Sequence, residues 1–198
     1  MKGGRKLEFD KHQALESAMY TFWRKGYVGT SLSDLTENMG INKPSLYSTF
    51  GNKEELFIKA TDFYLENNAK PFIEYLHTPE QPLSVRLNRY ISAICSIQFD
   101  SAKPKGCFIS CCVSEGAGKT IPPNALAAIT SAREFHEQYL TEFFDKERDN
   151  GCLKVDLSSE SLALFVVTLI HGTAAMARAG KSLEDVRPII LLAVNSIC

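Results

Sequence analysis

The stretch "NKPSLYSTFGNKEEL", residues 42–56, sets two lysines and four hydroxyl side chains close together. Lys43, Ser45, Tyr47, Ser48 and Lys53 are of the types that hydrogen-bond phosphate oxygens and the edges of bases. Leu46, Phe50, Leu56 and Phe57 interleave with them, giving the segment an apolar side by which it can be held. A disordered linker would not carry those four residues, and a core helix would not carry so many donors.

A second concentration of chemistry is "KGCFISCC", residues 105–112. Cys107 follows Gly106 near an expected helix start, with Lys103 and Lys105 close by; a helix N-terminus and neighbouring cations lower a thiol pKa and raise its reactivity. Cys111 lies four residues on, hence on the same helical face, and Cys112 on another. Pairing within one helix would need local distortion, so no simple disulfide is expected among them. Zinc would need four ligands, and His12, His77, His136 and His171 show no metal spacing near the cluster, so no metal is expected. Packing as small apolar residues is the competing reading of these thiols. Phe135, Tyr139 and His171 are further candidates for an effector pocket, beside a core role for each. "SEGAGKTIPP" imitates the end of a phosphate loop at Gly118-Lys119-Thr120. The motif needs a glycine five positions before Gly118, where Val113 stands, and Pro122-Pro123 follow where a helix should continue. No nucleotide site and no cofactor are implied.

These groups must be positioned by helices. Asp10-x-x-Gln13, Ser31-x-x-Asp34, Asn52-x-x-Glu55 and Ser182-x-x-Asp185 are helix starts, each a capping side chain three residues before an acid or amide. Gly26, Gly40, Gly151 and Gly180 are the matching stops. The signals predict about nine helices, roughly at 10–25, 31–39, 43–50, 53–76, 83–100, 106–115, 123–149, 159–179 and 183–197, in an all-α chain. The first helix should bury Leu15, Ala18 and Phe22, with Trp23 and Tyr27 closing its end. Two short helices follow, separated by "MGIN". Gly40 supplies the tight turn, Asn42 the cap and Pro44 a tolerated first-turn proline, which together describe a helix-turn-helix. Leu46 and Phe50 would anchor its second helix from behind. Lys53 and the amides at the next helix start add an anion site. Two domains are expected: residues 1–52, with the DNA-binding helices and a short basic arm "MKGGRK", and residues 53–198, a helical effector-binding and dimerisation bundle.

Composition narrows the class. The chain of 198 residues is 44% hydrophobic and 23% charged, with net charge −1, so it is neither disordered nor a polycation. The first 60 residues carry nine Lys/Arg against seven Asp/Glu, whereas the remainder is acidic. No apolar leader opens the sequence, and "LALFVVTLI" at 162–170 is too short to span a bilayer. A cytoplasmic location, no membrane partner and six cysteines held as thiols are expected. In the later bundle, Leu87, Ile91 and Ile94 stripe one helix, Phe135, Tyr139 and Phe143 another, and Leu162, Phe165, Leu169 and Met176 a third. The last, with Val186, Ile189, Ile190, Ala193, Val194 and Ile197, has more apolar surface than a terminal helix of a monomer needs.

Over residues 10–60 the pattern "FWRKGYVGTSLSDLTENMGINKPSLYSTFGNKEELF" resembles the tetracycline-repressor-like (TetR) family of transcriptional regulators. The matching features are the aromatic-x-x-x-Gly-Tyr exit of the first helix, Thr30-Ser31 starting the second, and Leu46-Tyr47-x-x-Phe50-x-x-Lys53 across the next two. The resemblance implies a homodimeric DNA-binding regulator, a repressor released from a palindromic double-stranded operator by a small-molecule effector. It implies that Thr30, Tyr47 and Lys53 hold phosphates and that Lys43, Ser45 and Ser48 face bases, with Ser31 and Asn42 at the helix starts completing the DNA-facing set. It also implies dimerisation through the last two helices, about 159–197, as a four-helix bundle. Many members carry His where Ser48 stands, so base preference does not transfer. Three rival readings remain: a regulator sensing electrophiles or oxidants through Cys107, a thiol-dependent enzyme, and a structural helical adaptor.

Overall fold

The computed structural model describes residues 9–116 and 121–198; the basic arm and the Gly118-Lys119-Thr120 motif lie outside them. Nine α-helices form, with no strand among the described residues: α1 (Lys11–Lys25), α2 (Leu32–Met39), α3 (Lys43–Phe50), α4 (Lys53–Asn68), α5 (Leu83–Gln98), α6 (Phe108–Gly116), α7 (Pro123–Asp149), α8 (Ser159–Arg178) and α9 (Leu183–Ile197).

Local chemistry sets most of the boundaries. Ser31, Asn52 and Ser182 each close a reciprocal capping box with the acid three residues on, and Asp10 caps α1 through the His12 and Gln13 amides. Each cap contributes about 1 kcal/mol by satisfying amides that a helix start leaves free. Gly40 ends α2 at φ +65°, a left-handed conformation that side chains with a Cβ adopt at a cost, and Asn42 then caps α3 through the Ser45 amide. The single helix expected over 53–76 is corrected. α4 stops at Asn68 and a 3₁₀ segment covers Lys70–Leu76, because Pro71 has no amide hydrogen and its ring would strike the carbonyl of residue 67.

Two apolar clusters form. The first joins Ala14, Ala18, Met19, Phe22 and Trp23 of α1 to Leu35, Leu46, Phe50, Leu56 and Phe57, and continues into Cys107, Phe108, Ile109 and Cys112 around α6 and Ile129 of α7. Leu15 is half-buried, so the inner stripe of α1 runs through Ala14, Ala18 and Phe22. The second cluster packs Leu87, Ile91 and Ile94 of α5 against Phe143 and Phe144 of α7, Leu162, Val166 and Ile170 of α8, and Val186, Ile190 and Val194 of α9. The stripe expected on α8 is shifted. Leu162 points inward, but Phe165 and Met176 are exposed, and Val166, Ile170, Thr173 and Ala177 take the inner row. α8 is long and apolar enough to cross a membrane by length and composition; here its inner row belongs to the second cluster.

Arg86 of α5 is buried with Glu147 of α7 in a two-pronged ion pair, at 2.8 and 2.6 Å. Its remaining donors reach the Leu76 and Gln81 carbonyls, so the charge is fully accommodated.

Candidate nucleic-acid interface

Leu46 and Phe50 are buried beneath α3, and Phe9 lies against Phe50 with ring centroids 6.2 Å apart. The other side of α3 shows Lys43, Tyr47 and Ser48 to solvent, while Ser45 and Thr49 are half-buried at its margins. Tyr47 is 48% exposed, an unusual placing for an aromatic whose neighbours on either side, Leu46 and Phe50, are sequestered. The Ser48 hydroxyl donates to the Ser45 carbonyl at 3.2 Å, a bond it can exchange for an external partner. Asn42 is exposed at the start of the helix with its Oδ1 held by the Ser45 amide at 2.8 Å.

Ser31 and Lys53 flank this face. Ser31 is exposed but internally engaged: its Oγ accepts the Asp34 amide and donates to the Asp34 carboxylate. Lys25 donates to the other oxygen of that carboxylate at 2.6 Å; this bond and those from Ser31 hold the Asp34 pKa well below the usual carboxylate range. Lys53 opens α4 with its amine 4.4 Å from the centroid of the Tyr27 ring. Burial pushes its pKa down, against the pull of Glu115 and Asp34. Thr30 is a correction. Its side chain is 1% exposed and its hydroxyl donates to the Gly26 carbonyl at 2.6 Å, so it braces the turn behind the surface instead of offering a phosphate ligand.

The cysteine region also differs from expectation. Cys107 immediately precedes α6 and is buried, with its sulfur accepting a hydrogen bond from Tyr64 Oη at 3.4 Å. Neither lysine expected to activate it does so: Lys105 donates to the Phe99 carbonyl at 2.6 Å, and Lys103 to Asn68 Oδ1 at 3.4 Å. The cation beside a thiol is Arg178 of α8, which contacts Cys111 Sγ. Burial nevertheless raises the Cys111 pKa, with Arg178 opposing it. No group of metal-ligating residues gathers among the described residues.

Cys107 and His171 border two cavities. One is an open cleft of about 460 Å³ between α6 and α8, also lined by Cys111 and Arg178. The other is an enclosed space of about 30 Å³ bounded by Tyr64, Asn68, Ile94, Arg133, His136 and Ile170. Burial lowers the His136 pKa to about 4, with His171 adding to the effect, so its ring is neutral at neutral pH. Tyr139 is elsewhere: it lines a cleft of about 440 Å³ with His77 and Arg86, and its hydroxyl contacts the His77 ring. Phe135 is half-buried against Tyr139 and under the Lys70 amine, and neither aromatic joins Cys107. The residues missed were Tyr64, Asn68, Arg133 and His136. A usable signal existed for the last two, since i, i+3 polar residues on a helix burying Ile129 and Ala132 are placed to flank an interior space.

Comparison with known proteins bears on the whole arrangement. Residues 14–60 match the family model described as bacterial regulatory proteins, tetR family. The HTH-type transcriptional repressor ComR of Escherichia coli (strain K12) is 33% identical over 187 residues, covering 94% of this chain and 88% of that protein. The HTH-type transcriptional repressor BdcR of the same organism is 27% identical over 194 residues, covering 98% of this chain and 92% of that protein. Among solved structures, a cysteine mutant of the TetR family transcriptional regulator CifR, complexed with 26-bp double-stranded operator DNA, superposes with a TM-score of 0.86 at 27% identity, over 98% of this chain and 100% of that one. The helix-turn-helix, the surface it presents and the similarity running through the body agree, and they settle the class as a DNA-binding transcriptional regulator, not an enzyme: the chain belongs to the tetR family of bacterial regulatory proteins.

Proposed function

We propose that this regulator is a homodimeric, cytoplasmic repressor that binds a palindromic operator through α3 and leaves it when a small molecule enters the body. The observation that carries the reading is the split of α3 into an anchored side, Leu46 and Phe50, and an open side, Lys43, Tyr47 and Ser48. Lys43, Ser45 and Ser48 face bases; Tyr47 and Lys53 hold phosphates, with Ser31 and Asn42 at the margins. The repressor names of ComR and BdcR and the operator complex of CifR support this assignment. Residues 1–52 serve DNA, and residues 53–198 serve the effector and the second subunit.

Dimerisation rests on the outer faces of α8 and α9. Leu164, Phe165 and Met176 on one, and Ile189 and Leu192 on the other, are exposed, with Leu192 at 71%. A self-complementary contact between two copies would cover them and set two recognition helices one DNA turn apart.

The effector enters the enclosed space beside Tyr64, His136 and Cys107. At about 30 Å³ it accommodates little more than a water, so any larger guest must part α4, α7 and α8. A guest that binds the parted state better shifts the population away from the DNA-competent one. A second reading, covalent modification at Cys107 by an electrophile or oxidant, has one observation in its favour: that thiol sits in the wall shared by both cavities.

Selection from a random duplex pool by purified, reduced protein tests the proposal. A recovered palindrome with affinity falling as salt rises is the expected result. Failure to recover any sequence, with weak binding unchanged in Tyr47→Ala and Lys53→Ala, would overturn it.

A further inference from the structure

A carboxylate fastens the DNA-reading head to the cysteine-bearing helix. Glu115, near the end of α6, accepts the backbone N–H of Tyr27 on Oε2 and that of Val28 on Oε1, each at 2.6 Å. Both oxygens are therefore spent on consecutive amides in the turn between α1 and α2. Charge-assisted bonds of this kind are roughly twice as strong as neutral ones. The turn is fitted to its partner: Gly26 stands at φ +72°, and a Cβ there would lie 2.5 Å from Glu115 Oε2.

What the turn holds makes the fastening consequential. Thr30 closes it through the Gly26 carbonyl. Ser31 then caps α2, and the Tyr27 ring carries the Lys53 amine. Fixing Tyr27 and Val28 thus fixes both the entry to the helix-turn-helix and the cation beside it. At the other end, Cys107, Cys111 and Glu115 recur at four-residue spacing along one face of α6. Cys111 contacts Arg178 of α8 across the 460 Å³ cleft. We propose that Glu115 is the positioning residue through which a change at the α6–α8 cleft reaches the reading head. This rests on the regulator reading above and names the group that carries its coupling.

Coupling is reciprocal, so operator bound at α3 must alter the cleft. The rate of Cys111 alkylation by N-ethylmaleimide, followed by peptide mass spectrometry with and without a saturating selected operator duplex, reads this directly. Cys152, exposed beyond the end of α7, is the internal reference. Operator should slow Cys111 relative to Cys152 by about fivefold or more in the natural protein. In Glu115→Gln, whose amide can accept from one N–H but turns a donor toward the other, and in Glu115→Ala, the ratio should fall toward one while thermal unfolding stays cooperative. A natural protein that binds operator with no change at Cys111, or variants that keep the full ratio, would overturn the proposal. A measurement on the unmutated chain guards against variants that do not fold: hydrogen exchange of the peptide spanning residues 26–30 should speed up once Cys111 is alkylated, and unchanged exchange would equally overturn it. Failure to find any operator counts against the regulator reading, and the exchange experiment then decides the fastening by itself.

Discussion

Lys53 is placed where stability alone would not put a cation. It is the first residue of α4, at the positive end of the helix dipole, where a positive charge costs about 0.3–1 kcal/mol. The Tyr27 ring at 4.4 Å returns about 0.5–1 kcal/mol. The two effects nearly cancel, so Lys53→Gln should leave the unfolding temperature within about 2 °C of the natural protein. On DNA the charge has no such offset. Each subunit of the variant neutralises one phosphate fewer, hence two fewer per dimer, which should reduce the slope of log K against log salt by about 1.8. Raising salt fourfold, from about 50 to about 200 mM, should then shrink the variant's affinity deficit by about 12-fold. Fluorescence anisotropy with a labelled operator duplex across that range measures the slope, and a thermal melt supplies the control. A deficit that is the same at every salt, or one matched by a large fall in melting temperature, would show that Lys53 packs the head and does not neutralise phosphate.

Three further outcomes are expected. Arg86→Met and Glu147→Leu should each cost about 3–5 kcal/mol by leaving the other charge buried and unpaired, whereas the double replacement should recover most of that; urea unfolding of the three variants measures it. His136 has its pKa lowered to about 4 by burial, so on acidification the unfolded chain takes up its proton first. Stability should therefore be full above about pH 6.5 and decline toward pH 4, and His136→Gln should flatten that part of a urea-midpoint profile; a slope unchanged by the replacement would show that this imidazole is already charged in the fold. Leu192→Lys, on the exposed face of α9, should halve the mass seen by light scattering and weaken operator binding, while a mass unchanged from the natural dimer would place the subunit contact elsewhere.

What the sequence made legible was local. Caps at Ser31, Asn42 and Asn52 and the turn at Gly40 act over three or four residues, and there the expected helices of the head match the observed ones within about a residue. The phase of α8 was not legible, because a helix apolar on most sides has no contrast from which to choose Val166 and Ile170 over Phe165 and Met176. Cavity membership was less legible still. Tyr64, Arg133 and His136 meet Cys107 from helices far apart in the chain, and Phe135 and Tyr139 turn away from it, which no local spacing encodes. Glu115 reads in sequence as an ordinary surface acid; its role comes from amides 87 and 88 residues away.

The reading head has no core of its own. The cluster that seats α1, α2 and α3 continues through Phe108, Ile109 and Cys112 to Ile129 and Ala132 of α7 and Ala174 of α8. Phe108 lies 5.8 Å from Phe57 and 5.4 Å from Tyr64, and Tyr64 lies 5.2 Å from Trp23, all between ring centroids, so aromatic contacts run unbroken from α1 to the start of α6. Interiors packed at such density do not deform smoothly; they exchange one arrangement of helices for another. The enclosed space against Tyr64 and Cys107 lies on that same aromatic row. α7, 27 residues and about 40 Å long, extends from this cluster into the second one. A molecule that wedges the space open therefore has two rigid paths to the DNA side, through the aromatic row to α1 and through α6 to Glu115. Movement of α3 is then the direct consequence of displaced packing, with no need for the head to soften.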